Sequence, residues 1–192
     1  MYFTGIDQHR LSSVLTTLTE HGDRLAQVTL PNDRRVLTQY FAQFPGDHQA
    51  VVEATGRWYW LRDLLVPQGI DLHLAHAKFL KAIAYAKVKT DAIDSDTLAQ
   101  LLRTGLIPEA HMIADAQRGP RDVLRARLRL VERRSRCKNS LDRLLEKFNV
   151  PAVEQLPPLY RLQAELQQGQ ITLLAEQIHT LEIGRASCRE RV

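Results

Sequence analysis

Four carboxylates stand out by where they sit in the chain. Asp7 closes a short β-prone run that begins at Tyr2, immediately after a Gly-Ile step, and Glu53 closes the apolar run Ala50-Val51-Val52. Asp91 and Asp94 open a helical pattern three residues apart, which puts both on one face. Acids at the ends of two strands and on a nearby helix can converge into one cluster. Like charges in one site repel and raise one another's pKa, so such a cluster is costly unless divalent cations neutralise it. Hard oxygen ligands select Mg²⁺ or Mn²⁺ over zinc. Two such ions about 4 Å apart activate a nucleophile and stabilise a leaving group in phosphoryl transfer. Each acid also has a plainer reading. Asp91 and Asp94 suit a helix start through the macrodipole, Asp7 suits a turn, and Glu53 suits the exposed end of a strand.

The elements that must position these acids can be read from periodicity and punctuation. Tyr2–Ile6, Leu11–Leu18 and Leu25–Leu30 predict three strands, the last two parted by His21-Gly22-Asp23. Asn32 or Asp33 can cap a helix over Arg34–Phe44, with Val36, Leu37, Tyr40, Phe41 and Phe44 on one face and Pro45-Gly46-Asp47 ending it. His48–Glu53 reads as a buried strand, Trp58–Val66 as a helix, Pro67-Gln68-Gly69 as a turn and Ile70–Ala75 as another strand. Helices are expected over Lys78–Lys87 and Asp91–Arg103, with Gly105 as a stop. This order is α/β, a mixed sheet flanked by helices.

From about Pro120 the character changes. Val123, Leu130, Cys137 and Leu144 recur seven apart, with Leu141 and Phe148 in the four-residue steps. After Pro151 and Pro157-Pro158, a second helix carries Leu159, Leu162, Leu166, Leu173 and Leu181. Two long helices joined by a Pro-marked turn predict an α-helical coiled-coil hairpin. Residues 118–138 hold nine Lys and Arg against Asp122 and Glu132, a net +7, and the rest of residues 1–182 is −5. That density favours DNA or RNA contact through Arg121, Arg125, Arg129, Arg133, Arg136 and Lys138, with a solvated helix face as the plainer reading. Arg57 and Lys89 flank the acidic blocks, where each can hold a phosphate or balance local charge.

Composition excludes several classes. With 192 residues, 44% hydrophobic, the chain can bury a real core and is not a disordered protein. No run approaches the roughly 18 apolar residues of a membrane span, and Met1–Asp7 lacks the basic and apolar regions of a signal peptide. Two cysteines make no disulfide framework, so a cytoplasmic setting is expected. His73 and His76 fall on opposite faces of a strand and are not expected to share a metal. Cys137 reads as a core residue, and Trp58 or Trp60 as packing against the sheet rather than stacking on bases.

Ile183–Val192 breaks the helical pattern and resembles the conceptual translation of a common short-read sequencing adapter. These ten residues are expected to be foreign to the fold, and the natural protein to continue past Glu182. Without them the net charge falls from +4 to +2 and Cys137 is the only cysteine left. The expected organisation is 1–115 catalytic, 116–182 basic helical arm, and 183–192 artefact.

Three blocks, Gly5-Ile6-Asp7-Gln8-His9, Glu53-Ala54-Thr55-Gly56 and Lys89-Thr90-Asp91-Ala92-Ile93-Asp94, resemble in order and spacing those of the DEDD transposases of bacterial insertion sequences, specifically the one-ten family. The likeness extends through the Arg-rich helix to Lys138-Asn139 and covers essentially all of residues 1–182. Gln8, Arg10 and Ser95 depart from the family's usual small apolar residue, Lys and Ala, and none of these departures touches a carboxylate. The resemblance implies an RNase H-like (RuvC-like) fold and bacterial cytoplasm. It implies that Asp7, Glu53, Asp91 and Asp94 form a tetrad binding Mg²⁺ or Mn²⁺. It further implies DNA as substrate, a structured guide RNA and a homo-oligomer as partners, and a serine nucleophile on a C-terminal domain beyond Glu182. Two other readings stand beside it: a free-standing RuvC-like nuclease or junction resolvase, and a non-catalytic nucleic-acid-binding oligomerisation fragment.

Overall fold

In the computed structural model, which describes residues 1–83 and 90–189, the β-prone runs become strands β1 (Tyr2–Gln8), β2 (Ser12–Thr19), β3 (Arg24–Pro31), β4 (His48–Glu53) and β5 (Asp71–Ala75). They form one sheet in the order β3-β2-β1-β4-β5. The hairpins β1–β2 and β2–β3 are antiparallel, whereas β1–β4 and β4–β5 are parallel. Helices α1 (Arg34–Phe41), α2 (Tyr59–Leu65), α3 (Ala77–Ile83) and α4 (Asp91–Arg103) complete the layers. The arrangement is α/β with a mixed five-stranded sheet, consistent with an RNase H-like fold.

Period-two alternation along β1 assigns its side chains to two environments. Phe3 packs with Val51, Ala75, Leu98 and Leu102 beneath α4. Gly5 lies directly under the same helix: a Cβ there would be 2.0 Å from the Ser95 carbonyl oxygen and 2.5 Å from the Ala99 nitrogen. Only a residue without a side chain lets α4 come this close. Alternation then puts Asp7 on this face too. Thr4, on the opposite face, joins a buried hydrogen-bonded chain through Thr17 Oγ1 (2.7 Å) and His48 Nε2 (2.7 Å), and Thr17 meets the Tyr40 hydroxyl of α1 at 2.6 Å. The three hydroxyls and His48 Nε2 satisfy one another, which is the condition for tolerating them in a core, while His48 Nδ1 is buried without a partner.

Asp33 rather than Asn32 caps α1, its carboxylate accepting from the Arg35 and Val36 amides at 2.8 and 3.1 Å. The helix stops at Phe41, short of the expected Phe44. Phe44 continues as a turn and still reaches the core, its ring 5.6 Å from Tyr2 and 5.3 Å from Tyr40. Trp58 is buried at the start of α2, and Pro67 and Gln68 form a single 3₁₀ turn closed by Gly69 at φ 81°. Of the helix expected over Lys78–Lys87, residues up to Ile83 are helical and the remainder, with Lys89, lies outside the described residues. The free edge of β5 is covered by a passing segment, His76 donating to the Pro108 carbonyl (2.7 Å) and Ala110 to that of Leu74 (2.8 Å).

The chain divides into two compact units, Met1–Met112 and Ile113–Val192. The second consists of α5 (Asp115–Phe148), a connection containing a 3₁₀ turn at Val153–Gln155, and α6 (Pro158–Arg189). Arg127 with Glu182 (2.9 Å), Ser140 with Gln167 (2.9 Å) and the Phe148 and Tyr160 rings (4.6 Å) show that α5 and α6 run antiparallel. Leu144, Val153, Leu156 and Ala164 form the small core at the closed end.

Three expectations for this unit need correction. The helix does not break at Ile183 but runs to Arg189, because nothing in that stretch removes a backbone donor as proline would. Leu159, Leu162, Leu166 and Leu173 do not face α5; they are 82%, 56%, 65% and 54% exposed. The covered positions of α6 are instead Tyr160, Ala164, Gln167, Ile171, Leu174, Ile178 and Leu181, alternating steps of four and three, with Ala175 beside them. On α5, Val123 is 39% exposed, while Leu130, Cys137, Leu141, Leu144 and Phe148 are covered. Among the described residues, no helix is long and apolar enough to cross a membrane.

Candidate metal centre

The parallel pairing of β1 with β4 ends at Ile6 opposite Val52. The next residues, Asp7 and Glu53, therefore lie side by side on neighbouring strands about 4.8 Å apart, at the same end of the sheet. The first turn of α4 is fixed over this end by several ties. Thr90 caps it by accepting from the Ile93 amide at 3.3 Å. Gln27 of β3 donates to the Ala92 carbonyl at 2.9 Å, and Ser95 Oγ lies 2.8 Å from Thr16 Oγ1 and donates to the Ala92 carbonyl at 3.1 Å. Ser95 thus finds partners for the hydroxyl it carries. With Gly5 permitting the close approach, Asp91 and Asp94 are brought to the acidic end of β1 and β4.

The charge environment of Asp7 reflects its acidic neighbours. Asp7 is half-buried, and its carboxyl is raised above the ordinary carboxylate range first by burial and then by the charges of Asp91, Asp94 and Glu53, with His9 pulling the other way. Asp91, Asp94 and Glu53 therefore each bear on Asp7 at this end of the sheet. A site that holds its acids in this way favours the arrival of positive charge.

His9 was not singled out by the spacing of the acids, yet it sits among them. It lies two residues past Asp7, just beyond the end of β1. Its backbone is pinned in the β1–β2 turn, the amide donating to Ser12 O (2.9 Å) and the carbonyl accepting from Asn32 Nδ2 (2.9 Å). Its Nε2 lies 3.2 Å from Asp7 Oδ2 and 3.1 Å from Asp91 Oδ2. This nitrogen is shielded from solvent and aligned with neither oxygen as a hydrogen bond. One ligand atom each from Asp7, His9 and Asp91 falls within 4.8 Å of the others. Carboxylate oxygens with one imidazole nitrogen, that nitrogen lacking an aligned partner, fit a hard or borderline divalent cation. The sequence signals were the Asp-x-His spacing and the glycine two residues before the acid.

The remaining candidates are distributed as follows. Arg57 is exposed in the turn after β4, and its carbonyl accepts from Gln8 Nε2 at 3.4 Å, which keeps it at the acidic end of the sheet. Arg121, Arg125, Arg129 and Arg133 recur every four residues and Arg136 follows three later, so they share one face of α5. Arg129, Arg133 and Arg136 line a shallow groove with Ala126, Leu130 and Glu132. Lys138, two residues past Arg136, is turned away from that row. Arg143 and Lys147, which sequence reading did not include, continue it. His73 is not joined to His76; its two nitrogens meet Glu109 (2.6 Å) and Asp71 (3.2 Å).

A family model described as a transposase, its name carrying the DEDD and IS110 labels, fits residues 4–150. That span contains all four carboxylates and the whole of α5. No curated protein matches the chain.

Proposed function

Since the chain belongs to the IS110-type DEDD transposase family, we propose that it performs the metal-dependent DNA strand cleavage and exchange of transposition, with Asp7, Glu53, Asp91 and Asp94 as its catalytic and metal-binding tetrad. The observation that carries this reading is the meeting of four carboxylates at one end of the sheet, with the Asp7 carboxyl raised by burial and by its three acidic neighbours. Mg²⁺ or Mn²⁺ held there would supply Lewis-acid stabilisation of charge on phosphodiester oxygens. The protein's own part is orientation. Parallel pairing fixes Asp7 beside Glu53, and the seating of α4 on Gly5 fixes Asp91 and Asp94 against them. Arg57, exposed at the same end, is suited to a DNA phosphate.

The second unit is the nucleic-acid arm in this reading. Its row from Arg121 to Arg136 takes phosphates of DNA or of a structured guide RNA, and the paired helices act as a coiled coil. The exposed leucine row of α6 supports assembly into a homo-oligomer. A serine-bearing domain beyond Glu182 completes strand exchange, so this chain alone binds but does not rejoin DNA. The test is to incubate the chain with Mg²⁺ and labelled linear or branched DNA, and separately with structured RNA. Binding of Mg²⁺ and of structured RNA, without rejoined DNA, is expected, with the metal binding lost in Asp91→Asn/Asp94→Asn; RNA binding with no metal binding would favour a non-catalytic binding fragment. Efficient Mg²⁺-dependent cutting of branched DNA by this chain alone would overturn the reading in favour of a free-standing resolvase.

A further inference from the structure

The four acids of the tetrad offer only oxygen, but the structure places a nitrogen among them. His9 Nε2 is 3.2 Å from Asp7 Oδ2 and 3.1 Å from Asp91 Oδ2, solvent-shielded, and without an aligned hydrogen bond. Two ligands at right angles on an ion with bonds of about 2.1 Å lie about 3.0 Å apart. The two separations at His9 are therefore those of neighbouring ligands on one ion. The imidazole is also held in place: its backbone is tied to Ser12 and Asn32 on both sides of the peptide.

We propose that His9 is a nitrogen ligand of the divalent cation held by this site, and that it moves the site's preference from Mg²⁺ toward Mn²⁺. The proposal rests on the reading of the carboxylates as metal ligands and adds a donor of a different kind. Mg²⁺ prefers oxygen and sheds its water reluctantly, whereas imidazole suits the borderline metals, with Mn²⁺ accepting both donor types. Because His9 joins Asp7 and Asp91, it acts where β1 and α4 meet.

The test uses Mn²⁺ bound to the whole chain and read by pulsed electron paramagnetic resonance. A nitrogen modulation on the Mn²⁺ signal is expected, and it disappears in both His9→Gln and His9→Ala. Those variants lose at least about tenfold in Mn²⁺ affinity, while Mg²⁺ affinity changes by much less. Mn²⁺ that depends on Asp7 but shows no nitrogen modulation would overturn the role of His9 and leave the carboxylate site standing. Nitrogen modulation that persists in His9→Gln would also overturn it, by naming another ligand. Mn²⁺ binding that is absent, or indifferent to Asp7→Asn, removes the carboxylate reading and this proposal together.

Discussion

Gly5 decides how near α4 can come to β1, and through that distance whether two of the four acids reach the other two. A methyl group there would fall 2.0 Å from the Ser95 carbonyl and 2.5 Å from the Ala99 nitrogen, both backbone atoms that cannot turn aside. Gly5→Ala is expected to cost at least about 3 kcal/mol, the upper end for overpacking, measured by urea unfolding, and to weaken metal binding as α4 lifts. His48 offers a second check at this scale. Burial first, and then the N-terminal amine, holds it down to about 4, so it is neutral in the folded protein. An unfolded histidine takes its proton near pH 6.5. Stability is therefore undiminished above about 6.5 and falls as pH drops toward 4, by about 3 kcal/mol in all. His48→Gln should flatten that part of the profile in urea midpoints taken between pH 7 and pH 4. The acids were legible from their places at strand ends and a helix start. His9 was marked only by its Asp-x-His spacing to Asp7; that Asp91 comes to meet it depends on the seating of α4 over Gly5, which is a tertiary feature.

At the scale of elements, strand positions followed from apolar runs and turn residues, since β1, β2, β4 and β5 carry their own punctuation. The phase of α6 did not follow. Its leucines have coiled-coil spacing, but so do Tyr160, Ala164, Ile171, Leu174 and Ile178, and it is the second set that meets α5. Periodicity fixes that a face exists; the packing of Ala164 and Leu156 against Leu144 and Val153 fixes which face it is. Leu156, 1% exposed, should cost about 2–5 kcal/mol when cut to alanine. Leu166→Ala, at 65% exposure, should stay within about 0.5 kcal/mol. Equal losses for the two in chemical denaturation would contradict the observed seam.

For the whole molecule, a sheet-borne acidic centre and a basic helical arm belong to one chain whose match to the transposase family spans both. The arm's arginines should release counterions on binding. Replacing Arg129, Arg133 and Arg136 with alanine should lower the slope of log affinity against log salt for duplex DNA by about 2–3, if all three meet phosphates. An unchanged slope would assign them to solvent. The acidic centre makes the more direct test, because charge on Asp7 is held at a cost: burial first, and then Asp91, Asp94 and Glu53, raise its carboxyl, with His9 offsetting only part of this. A raised acid contributes stability at low pH that is lost as pH rises through its folded value. At pH 7, metal-free Asp7→Asn should therefore melt above the metal-free parent. The measurement to make is the melting temperature of both at pH 7 as Mg²⁺ or Mn²⁺ is added. The parent should rise with metal, by an amount equivalent to about 2.7 kcal/mol at one hundred times the dissociation constant, while Asp7→Asn starts higher and does not respond. A parent indifferent to either metal, or a variant that responds as the parent does, would contradict a metal site built on this tetrad.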